Sequence, residues 1–104
     1  MLKIRGLNMP LTENVIKKIA DDTGIKIDDL TTSALLALLR EKRRKMIMEK
    51  MEILRRYNGI DLNNLEDKIK TGEIAEHPAW EDLITLENLE DAIARLDEDM
   101  EAIQ

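Results

Sequence analysis

DDLTTSALLALLREKRRKMIMEKMEILRRY, residues 28–57, contains no glycine and no proline and is dominated by Leu, Ala, Met, Glu, Lys and Arg. These are the strongest helix formers, so with Asp28 or Asp29 as its cap the stretch predicts one helix of about 28 residues. The character of that helix changes on the way. Leu30, Ala34, Leu35, Leu36, Leu38 and Leu39 cover most of its circumference, which predicts deep burial, whereas Arg40-Glu41-Lys42-Arg43-Arg44-Lys45 is charged all round. A helix that is polar on every face passes through solvent or along a charged partner. Beyond it, Met46, Ile47, Met51, Ile53, Leu54 and Tyr57 restore an apolar side. The long helix is therefore expected to bridge two packing regions.

Upstream, Val15, Ile16, Ile19 and Ala20 recur at helical spacing between a capping Thr12 and a terminating Gly24, predicting a helix from about Glu13 to Thr23. Before it, Leu2-Lys3-Ile4-Arg5 alternates apolar and basic residues, the period of a short strand, and Gly6 and Pro10 end the segment. Downstream, Asn58-Gly59 is a stop, because both residues tolerate the left-handed backbone found just past a helix end. Asp61 then caps a short helix carrying Leu62, Leu65 and Ile69, and Gly72 closes it. His77-Pro78 restarts the chain into a last helix from about Ala79 to Ala102. Along it Leu86, Leu89, Ile93, Leu96, Met100 and Ile103 make a heptad seam, which packs within the fold, across a dimer or on another protein.

The chain has 104 residues and a net charge of −6, yet its two parts differ in sign. Residues 1–57 hold 13 Lys+Arg against 8 Asp+Glu, a net of +5, and residues 58–104 hold 3 against 14, a net of −11. The expected organisation is thus a basic part, 1–57, and an acidic helical arm, 58–104. The two attract each other, or each faces a partner of opposite charge, and both readings can hold at once. With Trp80 and Tyr57 as the only aromatics, the core is thin, and oligomerisation is the usual remedy for a thin core.

Cysteine is absent and His77 is the only histidine, which excludes disulfides, thiolate zinc sites and any Cys-His or Ser-His nucleophilic arrangement that needs a second partner. Asp97, Glu98, Asp99 and Glu101 lie around the outside of the last helix and do not converge. Glycines stand at turn positions, so no phosphate-cradling loop occurs. No catalytic residue, metal or cofactor is assigned, and no small-molecule substrate is expected. No apolar run approaches the roughly 18 residues that cross a bilayer, so a cytoplasmic protein without membrane contact is expected. Binding remains as the function class.

The order of Lys3 to Leu39 resembles the ribbon-helix-helix family of dimeric DNA-binding proteins: a short strand ending near Pro10, a helix reaching Gly24, and a second helix with Leu30 and Ala34 at apolar positions. Asp28 and Asp29 stand where that family has a basic or hydroxyl turn. The resemblance implies that Lys3, Arg5 and Asn8 contact duplex DNA, and the basic run adds Arg40, Arg43 and Arg44 as phosphate contacts. A helix-turn-helix reading of Ala20 to Ile25 competes with it. Residues 46–89 resemble, more loosely, the toxin-wrapping arms of small prokaryotic antitoxins through Tyr57-Asn58-Gly59, Gly72-Glu73 and Pro78-Ala79-Trp80-Glu81. On that likeness the arm would hold a basic toxin with Trp80, Leu86, Leu89, Ile93, Leu96 and Met100. The expectation is a mainly α, ribbon-helix-helix-like homodimer acting as an autoregulatory antitoxin. The alternative is a helical homodimeric structural or adaptor protein without DNA binding.

Overall fold

The computed structural model describes residues 12–104, and every regular element among them is a helix: α1 (Glu13–Thr23), α2 (Ile27–Arg55), α3 (Leu62–Lys70) and α4 (Glu76–Ile103). The strand expected at Leu2 to Arg5 lies outside the described residues. Two compact units divide the chain at Ala37, residues 1–37 and 38–104, with α2 running through both. The change of charge between residues 57 and 58 therefore falls inside the second unit, not at its edge.

In the first unit the local signals set the limits of α1. Thr12 is extended and its Oγ1 accepts the Val15 N–H at 3.3 Å, and Gly24 (φ 69°) ends the helix in the left-handed conformation. Lys18 and Asp22, one turn apart, pair at 2.6 Å. The packing is sparse. Ala20 is the one buried apolar residue among the described residues of this unit. Of the α2 positions expected to be deeply buried here, Leu30 and Leu36 are only half-buried, and Ala34 and Leu35 are exposed. Apolar side chains nearly encircle this end of α2, and the described part of the unit does not surround it. Asp28 and Asp29 occupy its first turn, where carboxylates favour the helix dipole.

The second unit is a helical hairpin with a third helix laid into its connection. Asn58 (φ 59°) and Gly59 (φ 74°) turn the chain out of α2, and the Gly59 N–H donates to the Leu54 carbonyl oxygen at 2.9 Å. Asp61 then caps α3 by accepting the Asn64 N–H at 2.9 Å. His77 is extended (φ −113°, ψ 129°), so the regular part of α4 starts at Pro78, whose fixed φ and missing N–H suit a first helical turn. Ile53 of α2, Leu65 and Ile69 of α3, and Ala79, Leu83, Leu86 and Leu89 of α4 form one buried core. Met46, Leu54, Tyr57, Ile60, Leu62 and Ile74 pack around it. Leu65 and Leu86 are fully buried, and each such leucine contributes about 1.5–3 kcal/mol.

α2 and α4 run antiparallel, as their cross-helix ion pairs show: Arg43 meets Asp97 at 2.6 Å, Lys50 meets Glu90 at 3.0 Å and Arg56 meets Asp82 at 3.1 Å. The numbers rise on α2 as they fall on α4. Seven residues separate Arg43 from Lys50 and Glu90 from Asp97, so both helices present their charges at a heptad repeat. Most of these side chains keep substantial contact with water, and such a pair contributes about 0–1 kcal/mol. The core supplies the stability of the hairpin, and the ion pairs specify its register.

Candidate functional site

Lys3, Arg5 and Asn8, the expected contacts of the N-terminal strand, lie outside the described residues. The other expected DNA contacts all lie on α2, in different circumstances. Arg40 is exposed. Arg43 is half-buried and held by Asp97. Arg44 is exposed, but its guanidinium grips Glu41 twice, Nε at 2.9 Å and Nη2 at 2.7 Å, and Nη1 lies 2.8 Å from Met48 Sδ. This two-point pairing raises the Arg44 pKa, and the same hydrogen bonds hold the Glu41 carboxyl below its ordinary range.

The seam residues of α4 divide into two groups. Leu86 and Leu89 are buried in the hairpin core against their own chain, whereas Ile93, Leu96 and Met100 are half-buried. Trp80 stays 40% exposed. The seam on α4 has its match on α2, where Arg43, Met46, Lys50, Ile53 and Tyr57 recur at spacings of 3, 4, 3 and 4, all half-buried or buried.

One polar cluster was not singled out in the sequence. Tyr57 donates its hydroxyl to Asp82, which also takes the Arg56 guanidinium. Burial, and then the hydrogen bond to Asp82, push the Tyr57 pKa up to about 12. The three groups come from just past the end of α2 and from the second turn of the regular part of α4, so they fasten the connected end of the hairpin. Nearby His77 Nδ1 lies 2.7 Å from Glu81 on the surface, and the Glu81 carboxyl is held below its ordinary range by its own backbone N–H and then by His77. Among the described residues no group of three His, Cys, Asp or Glu gathers as a metal site would require. No helix there is long and apolar enough to cross a membrane.

Among the described residues large apolar side chains stand exposed in four places, one of them Leu38 of α2. Ile19, Ile27 and Leu35 are exposed in the first unit. In the second, Met48 and Met51 stand out from α2, and Trp80 and Ile84 stand out from α4. Met48 and Met51 line an open hollow with Arg44, Lys45, Glu52 and Arg55. The signal for this face was present in the sequence: residues 44, 48, 51 and 55 follow one another at spacings of 4, 3 and 4, a stripe separate from the α4-facing seam. The geometry is that of exposed apolar patches on helices, taken unit by unit. Comparisons with curated proteins and with solved structures return no match. A family model does match, over residues 9–104, and by it the chain belongs to the Uncharacterized protein MJ0235 family.

Proposed function

We propose that this protein is a helical homodimeric adaptor, joined through its first unit and presenting the hairpin of its second unit as a rigid body for contacts with proteins. One observation carries the reading: in the first unit Ile19, Ile27 and Leu35 are 43%, 46% and 44% exposed, while Ala20 alone is buried among the described residues. Apolar surface left open on so small a core is stabilised by burial against a second copy. Light scattering on the full chain tests this. A mass of two chains at micromolar concentration is expected, and Ile27→Glu with Leu35→Glu should give one chain of unchanged helicity at the second unit. A wild-type chain that stays single at every concentration overturns the reading.

A second reading, an autoregulatory antitoxin, draws support from the basic run of α2, where Arg40, Lys42 and Lys45 are exposed. Duplex DNA would bind there and at Lys3, Arg5 and Asn8, and a basic toxin at Trp80 and the α4 seam. Two observations make it the weaker reading. Arg43 and Arg44 each hold a carboxylate, and the α4 seam begins with Leu86 and Leu89 already covered. A gel shift with duplex DNA at low salt separates the readings. Retention lost on Lys3→Ala with Arg5→Ala, or on Arg40→Ala, would favour the antitoxin, and no retention at all favours the adaptor.

A further inference from the structure

The second unit carries two exposed stripes with the same spacing and complementary chemistry. On α2 the stripe is Arg44, Met48, Met51 and Arg55; on α4 it is Trp80, Ile84, Glu87 and Asp91, again at spacings of 4, 3 and 4. All eight side chains are exposed, with Met48, Met51 and Ile84 each 56% open. The α2 stripe places cations at both ends of a thioether centre, and the α4 stripe continues from two apolar residues into two carboxylates. We propose that the α2 stripe of one copy docks on the α4 stripe of a second, a contact separate from the first unit's apolar face.

Equal spacing lets the two helices lie side by side in either direction, and both directions give the same four pairings in kind. Run parallel, Arg55 meets Asp91, Met51 meets Glu87, Met48 meets Ile84 and Arg44 meets Trp80. Run antiparallel, Arg44 meets Asp91, Met48 meets Glu87, Met51 meets Ile84 and Arg55 meets Trp80. In each case one guanidinium finds a carboxylate and the other lies on the indole face, where a cation is attracted by the ring; Arg44, which holds Glu41 within α2, shares its guanidinium between that carboxylate and the new partner. Flexible Met side chains adapt to whichever partner they meet. A stripe of four residues buries far less than the roughly 1,200 Å² of a stable interface, so the contact is weak and builds with concentration. Because the two stripes differ, the contact is head-to-tail: each copy keeps one stripe open for the next, and association extends by successive copies or closes into a ring.

Sedimentation of the full chain over about 10 μM to about 1 mM tests this, a range set by the weakness of so small a contact. The mass should grow with concentration beyond its dilute value, and salt should suppress the growth. Met51→Glu, at an exposed position, should stop the growth with unchanged helicity. Asp91→Arg should also stop it, and adding either Arg55→Asp or Arg44→Asp should restore it, the restoring partner revealing the direction. Ile27→Glu with Leu35→Glu, which acts on the other face, should lower the dilute mass and leave the growth in place. A wild-type mass that does not grow overturns the proposal. So does growth untouched by Met51→Glu, or an Asp91→Arg chain that neither arginine change restores.

Discussion

The two units of this chain are built from the same kinds of helix, yet among the described residues the helices of one close a core and those of the other do not. In residues 38–104 three helices meet around Leu65 and Leu86, and the apolar seam of α2 has α4 beside it. In residues 12–37 the described helices share one buried alanine and leave Ile19, Ile27 and Leu35 open. The difference lies in supply, not in hydrophobicity. Residues 27–39 of α2 are richer in leucine than any other stretch, but a helix that is apolar nearly all round needs neighbours on more than one side. The hairpin teaches the converse: a seam of modest hydrophobicity is enough when the chain returns along it in register.

Removing the α2 side of the hairpin should have the largest effect, because it turns the closed unit into an open one. A peptide of residues 58–104 keeps α3 and α4 but loses Met46, Ile53, Leu54 and Tyr57, and its net charge is −11. It should show weak helicity by circular dichroism and gain helix when a peptide of residues 38–57 is added, because ordering entropy is then offset by burial. Full helicity of 58–104 alone would mean that α4 is an autonomous coiled coil.

Point substitutions bring out the same contrast one leucine at a time. Leu86→Ala, at a fully buried site, should cost about 3 kcal/mol or more in urea unfolding, by the same amount at every protein concentration. Leu35→Ala should cost under about 1 kcal/mol in dilute solution, because its side chain is already in contact with water. In concentrated solution its cost should rise, as the proposed dimer is lost with it.

Smaller effects belong to the polar ends of the hairpin. Tyr57→Phe should destabilise by about 1 kcal/mol, since Asp82 keeps Arg56 but loses the hydroxyl. Its pH dependence follows from a folded pKa raised to about 12 above the ordinary 10. The unfolded tyrosine ionises first, so the stability linked to this group is whole below about pH 10 and disappears as pH rises toward about 12. The Tyr57→Phe chain, which has no hydroxyl to ionise there, should not show that loss. Least of all, Arg43→Ala should cost about 0.5 kcal/mol, and less at high salt, because the partners of the Arg43–Asp97 pair keep 38% and 48% of their side-chain surface in contact with water.

Helix limits were legible in the sequence because local chemistry sets them. Thr12 and Gly24 frame α1, Asn58-Gly59 ends α2, Asp61 caps α3, and Pro78 starts the regular part of α4, each acting on a backbone group a few residues away. The opposite charges of residues 1–57 and 58–104 were equally visible. Their use was not, because a net charge says how much attraction exists and nothing about where it acts. Arg43 lies 54 residues from Asp97, and only the return of α4 along α2 turns the middle of a charged run into part of a seam. Leu86 and Leu35 show the same limit for apolar residues, since both read as burial sites and one is fully buried while the other is 44% exposed. A side chain's burial depends on what comes to lie against it, and that is decided by contacts between residues far apart in the chain, which periodicity within a single helix does not contain.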